Sequence, residues 1–153
     1  MATINATLNV SSPDLTSSPL ALSNTMIMYK AGTRTGLEFS SGLIRRKLTS
    51  TTQINLIGTG EQVYGTPEAT AVNASKVYIK NTGSSSTDFV TIGLGDATGA
   101  EELDDGTSQI SIGKLHGGEW MIIPYYGVAN VGDVLVKPST AEVTTVEWML
   151  FFE

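Results

Sequence analysis

Apolar and polar residues alternate along much of this chain with a period of two, the repeat of a strand that turns one face to a core and the other to water. Over residues 3–10, Ile4, Ala6, Leu8 and Val10 share one face, and Thr3, Asn5, Thr7 and Asn9 share the other. This pattern predicts a half-buried strand. Residues 11–19 interrupt it with Pro13 and Pro19, which withhold ladder N–H donors, so the stretch reads as a loop or arm. The extended pattern resumes over 20–29, with Leu20, Leu22, Met26 and Met28 on one face and Ile27 and Tyr29 on the other. Gly32 and Gly36 bracket a turn. Short strands are predicted over 37–39, 43–48 and 53–57, and 63–72, which holds Gly65 and Pro67, reads as a loop with a short edge strand.

The second half alternates more cleanly. Lys76, Tyr78 and Lys80 oppose Val77 and Ile79. A polar turn over 81–87 leads to a strand over 88–94, in which Val90, Ile92 and Leu94 oppose Phe89, Thr91 and Gly93. Strands over 109–114 and 119–124 flank Leu115-His116-Gly117-Gly118, which predicts a hairpin. Strands over 133–137 and 143–152 close the pattern, and Trp148, Leu150 and Phe152 alternate against Glu147, Met149 and Phe151. Helical periodicity is not sustained anywhere; its best candidate, 38–48, is broken by Ser40-Ser41-Gly42. About nine or ten short strands at regular spacing predict an all-β fold, an antiparallel β-sandwich of jelly-roll or Greek-key type. The expected organisation is a single domain over 1–153. Its N-terminal strand and arm occupy 1–20, and its best-defined sandwich half occupies 75–153.

Composition agrees with many turns. Sixteen glycines accompany a charged fraction of only 16%, below the usual quarter. With 153 residues, one domain buries about 68–70% of its unfolded surface and needs no staple. The chain has no cysteine, which excludes disulfides, thiolate metal sites and cysteine nucleophiles. Its start, Met1-Ala2-Thr3-Ile4-Asn5-Ala6-Thr7, lacks the basic opening and apolar run of a signal peptide, and no apolar stretch approaches the roughly 20 residues of a spanning helix. No membrane partner is expected. Residues 1–60 hold five basic side chains against two acidic ones and the remainder four against thirteen, giving +3 and −9 and a net charge of −6. The asymmetry fits either head-to-tail docking or an ordinary mixed surface. The overall acidity argues against a nucleic-acid partner.

Chemistry-bearing residues are sparse. His116 is the single histidine, placed at the predicted hairpin tip as a solvated turn residue, with no second histidine to build a triad or a zinc site. Gly93-Leu94-Gly95-Asp96-Ala97-Thr98-Gly99 lacks the Lys-Ser/Thr of a phosphate loop and reads as a turn after a strand. Asp96, Glu101, Glu102, Asp104 and Asp105 offer hard oxygen ligands without an EF-hand order, so a solvated acidic loop is the simpler reading beside Ca²⁺ binding. No enzyme activity and no cofactor are expected. Trp120 and Trp148 sit in apolar strands and are expected to pack in the core, whereas Tyr125 and Tyr126 follow Pro124 in a turn and are candidate exposed contacts. Arg45-Arg46-Lys47, the one basic run, is either a docking patch for an acidic surface or a charged edge strand that blocks stray pairing.

The second half also carries an arrangement of motifs. Tyr78-Ile79-Lys80-Asn81 is followed by Leu115-His116-Gly117-Gly118-Glu119, then by Val134-Leu135-Val136-Lys137, and finally by the aromatic strand Trp148-Met149-Leu150-Phe151-Phe152-Glu153. Over 75–153 this resembles the small β-sandwich virion proteins of tailed bacteriophages. The extra glycine at Gly117-Gly118 and the Lys137-Pro138 pair depart from that pattern. The resemblance implies a capsid decoration or cement protein on the virion surface, made in the host bacterial cytoplasm. Its implied partners are the major capsid protein and further copies of itself, as a dimer or trimer. On that reading the N-terminal arm, with Leu8, Val10 and Leu15, reaches a neighbour, and Arg45, Arg46 and Lys47 meet an acidic capsid surface. The alternative is a carbohydrate- or receptor-binding module of a tail fibre or spike, working through exposed aromatics.

Overall fold

A computed structural model describes residues 4–12, 20–28, 39–58, 74–85, 87–95, 103, 110–125, 133–140 and 144–152. These residues form eleven strands and no helix. The chain divides into two compact units, Met1–Phe39 with Glu153, and Ser40–Phe152.

In the first unit, β1 (Ile4–Ser12) and β2 (Leu20–Met28) form an antiparallel ribbon. The register sets Ile4 against Met28, Ala6 against Met26 and Val10 against Leu22, so most of the apolar positions fall on one face, while Ile27 and Ala21 lie on the other. On the other face Ser23 Oγ donates to Asn9 Oδ1 at 2.6 Å, and the Thr7 and Thr25 hydroxyls meet at 3.1 Å.

The second unit is a two-sheet sandwich. One sheet has the order β4 (Ile44–Leu48), β11 (Thr144–Phe152), β6 (Ala74–Asn81), β9 (Trp120–Pro124), and the short β3 (Phe39–Ser40) also pairs along β11. The other has the order β5 (Ile54–Ile57), β10 (Asp133–Pro138), β7 (Phe89–Gly95), β8 (Ile110–His116). Apart from β3, strand neighbours in both sheets pair antiparallel. From β4 to β11, each connection except β7–β8 crosses from one sheet to the other. That order is the pair of Greek keys of a jelly roll.

The core lies between the sheets. Val77 and Ile79 of β6, and Val146, Trp148, Leu150 and Phe152 of β11, face Val90 and Ile92 of β7 and Val134 and Val136 of β10. β11 and β10 are nearly buried along their length because each has strands on both edges. This is why they read as apolar runs rather than strict alternations. Leu48, Leu56 and Ile57 complete the core, so strands from the first half of the sequence belong to the sandwich.

Residues 115–118 do not form the predicted hairpin. β8 and β9 lie in different sheets, and the link between them is an arch. A second arch, from β6 to β7, braces it: Gly118 N donates to Asn81 O at 2.9 Å and Gly117 N to Ser85 O at 3.2 Å. Asn81, 2% exposed, sends its amide Nδ2 to Leu115 O at 3.0 Å and accepts from Gly83 N at 2.9 Å. A Cβ at Gly117 would stand 2.5 Å from Ser85 O and 2.7 Å from Gly83 O, which is too close for any other residue. Gly118 has φ +86°, a conformation that favours glycine. Glycines that look like a hairpin signal in the sequence thus serve close packing of two arches.

Antiparallel pairing sorts the connections by end. The short ones, 49–53, 82–88, 117–119 and 139–143, leave one end of the sandwich. Those spanning 58–73, 96–109 and 125–132 leave the other. The predicted turn at Gly32 and Gly36 and the strand within 63–72 lie outside the described residues.

Candidate functional site

Among the described residues, at least two surfaces carry exposed apolar or aromatic side chains. The first is the apolar face of the β1–β2 ribbon. Leu8 is 44% exposed, Leu22 49%, Met26 45% and Val10 38%. Neither strand holds a charged residue. The alternation over 3–10 predicts a half-buried strand; Ile4 and Ala6 are half-buried and Met28, opposite Ile4, is 1% exposed, whereas the same face is open to solvent at Leu8 and Val10. A two-stranded ribbon cannot build a core of its own, because both its faces start in water. Full burial of an exposed large aliphatic side chain is worth roughly 1.5–3 kcal/mol, so covering the exposed part of these four favours association by a fraction of that each. Leu15, the third expected arm contact, lies outside the described residues.

The second surface is the outer face of the β4–β11–β6–β9 sheet. Trp120 points outward and is 48% exposed, correcting the expectation of a core position; Trp148, 8% exposed, is in the core as expected. The reason is parity. Trp120 pairs with Lys80 and Ile123 with Val77, so the indole shares the lysine's outer face. Tyr78 lies beside it, ring centroids 6.2 Å apart and planes inclined at 40°. Burial raises the Tyr78 pKa above its usual 10.0, and the negative charge of Glu147 adds to the rise.

The basic run divides by the same rule. Arg45 Nε donates to Glu147 Oε1 at 2.6 Å on the outer face. Arg46 faces the opposite way and donates to Asn55 O at 2.7 Å, bridging β4 to β5 of the other sheet. Lys47 returns to the outer face, opposite Thr145, and is exposed. Among the described residues, strand β4 pairs only with β11, which makes it an edge strand there, and both arginines are engaged within the chain.

Tyr125 is not an exposed contact. It is 5% exposed and belongs to the core cluster, because the residue after outward-facing Pro124 turns into the sandwich. Burial, with a further push from the charge of Asp133, raises its pKa from 10.0 to about 12. Tyr126 lies outside the described residues.

His116 is likewise not a solvated tip residue. It ends β8 opposite Phe89, with the ring centroids 5.6 Å apart in an edge-on contact. Its Nδ1 is buried without a hydrogen-bond partner among the described residues. Asp96, Glu101, Glu102, Asp104 and Asp105 lie outside the described residues. Leu103, between them in sequence, is fully buried. Its N–H donates to Gln53 Oε1 at 2.6 Å and its carbonyl accepts from Lys137 Nζ at 3.2 Å. A Cβ on Gly93 would overlap Leu103 Cδ2, so the glycine in this strand makes room for a leucine rather than for a phosphate.

No family model matches this sequence, and no curated protein matches it. Among solved structures, the crystal structure of the Yersinia pseudotuberculosis-derived mitogen is similar over 73% of this chain and 85% of that chain, at 10% identity and a TM-score of 0.39. The all-β sandwich described above rests on the strand order and shared core of this chain, and so distant a likeness adds nothing about its activity.

Proposed function

We propose that this chain is a structural protein of a phage virion, a decoration protein that holds the outer capsid surface through its β1–β2 ribbon. The observation that carries this reading is the open, charge-free apolar face of the ribbon, built by Leu8, Val10, Leu22 and Met26. Nine residues per strand make a ribbon about 30 Å long. An extended element of that length spans the seam between two neighbouring subunits of a shell, and burying its apolar face there joins them. The motif resemblance over 75–153 supports the same role. The partners are the major capsid protein and, through lattice symmetry, further copies of the chain. The site of action is the virion surface, reached after synthesis in the host bacterial cytoplasm.

The test uses empty tailed-phage shells stripped of their decoration protein. The intact chain binds them saturably, and Leu8→Asp with Leu22→Asp weakens binding at least tenfold while the unfolding transition of the sandwich stays in place. Shells that ignore the intact chain, or that bind the double variant equally well, overturn the proposal. The exposed Trp120 favours a second reading, a glycan-binding module of a tail fibre or spike.

A further inference from the structure

One row of side chains crosses the outer face of the β4–β11–β6–β9 sheet. The register places Arg45 beside Glu147, Glu147 beside Lys80, and Lys80 beside Trp120. Tyr78, two residues from Lys80 on the same face, leans against the indole. Glu147 is only 8% exposed; Arg45 holds its Oε1 at 2.6 Å, and Oε2 has no hydrogen-bond partner among the described residues. The Lys80 ammonium and the Tyr78 hydroxyl also lack hydrogen-bond partners among those residues. Lys47 of β4 and Lys76, farther along β6 opposite Pro124, lie on the same face, so the paired strand residues of this face carry four cations and one carboxylate on a protein of net charge −6.

An exposed indole flanked by unpaired polar groups matches one class of ligand. The C–H face of a pyranose packs on an aromatic ring, and its hydroxyls need donors and acceptors at the rim. Two cross-strand steps of about 4.8 Å set Glu147 roughly 10 Å from Trp120, the reach of one pyranose with its exocyclic group. Because cations outnumber carboxylates, the ligand is negatively charged. We propose that this face binds an acidic pyranose, a hexuronate or sialate unit of an anionic polysaccharide. The ring stacks on Trp120, its carboxylate takes a charge-assisted hydrogen bond from Lys80, and a ring hydroxyl donates to Glu147 Oε2. The inference does not depend on ribbon docking, since the two surfaces share no residue.

Calorimetry and tryptophan fluorescence on the full chain test it, with tetragalacturonate, tetrasialate and neutral maltotetraose as probes. Trp148 is buried, so a ligand-induced change in emission reports Trp120. At least one acidic oligosaccharide should bind saturably and quench emission, weaken with added salt, and outcompete maltotetraose. Response to one probe alone assigns the uronate or the sialate source. Trp120→Ala and Lys80→Ala should each cost at least tenfold in affinity, with the unfolding midpoint unchanged. The proposal fails if neither acidic probe binds, if maltotetraose binds equally, or if Trp120→Ala retains full affinity. It also fails if the face serves a protein partner instead, seen as association of copies lost in Trp120→Ala with no response to any oligosaccharide. Loss of shell binding in the Leu8 and Leu22 variant reports on the ribbon alone.

Discussion

Tyr125 shows how far a single position can depart from its local sequence. A tyrosine after a proline and before a glycine reads as a turn residue, yet here the phenol is sealed in the core near Asp133. Both burial and the neighbouring charge disfavour tyrosinate, so the folded protein holds this proton to about pH 12 whereas the unfolded chain releases it near 10.0. Between those values the unfolded state binds fewer protons, and stability falls as pH rises. Denaturant unfolding of the intact chain should therefore show a loss of stability from pH 10 that levels off near 12. Tyr125→Phe should show less of it, and an identical pH profile in the two proteins would contradict this origin. Trp120 departs the other way: an apolar neighbourhood reads as core, and only the register with Lys80 reveals that the indole faces outward.

Strands were legible from alternation, but their partners were not. Residues 109–114 and 119–124 look like a hairpin because glycines separate them, and the structure sends them to different sheets. What decides it is the buried Asn81 amide, which takes its partner from Leu115 of the opposite sheet. The β5–β10–β7–β8 sheet makes a related point. Its outer face receives Leu103, and Gly93 in β7 clears the space. Leu103→Ala should cost about 2–5 kcal/mol. Gly93→Ala, which also brings a Cβ to 2.9 Å from Ile110 O, should cost about 1–3 kcal/mol. The double variant should lose less than the sum, since part of the Gly93→Ala overlap disappears with the leucine. Strict additivity in urea titrations would show that the two side chains do not meet. The ribbon is a milder case: the apolar face of each strand follows from the sequence, but the pairing and register come from the structure, and nothing local tells whether that face meets a core or a partner.

For the molecule as a whole, the division at Phe39 and Ser40 separates a two-stranded ribbon, whose described residues include one fully buried apolar side chain, Met28, from a sandwich with a continuous core. A chain beginning at Ser40 should retain a cooperative thermal transition and a β-type circular dichroism spectrum, and should lose binding to stripped shells. If it fails to fold, the first unit supplies part of the core, and the division into two units is wrong in energetic terms. The jelly roll needs β4 and β5, from the first half of the sequence, as much as the later strands. Arg46 shows why: it closes the gap between the sheets by reaching from β4 to the Asn55 carbonyl.

The sequence by itself determined that this protein is all-β, which residues form most of its strands, and which faces of those strands are apolar. Period-two alternation is a local property, and it survives in any sheet the strand joins. Pairing, sheet membership and exposure are long-range properties, and only the tertiary structure decided them. Thus the run Arg45-Arg46-Lys47 became one ion pair, one bridge between sheets and one exposed lysine. Trp120 and Tyr125, five residues apart, exchanged their expected places, because the neighbouring strand and the opposite sheet, not the residues beside them in sequence, set what each side chain meets.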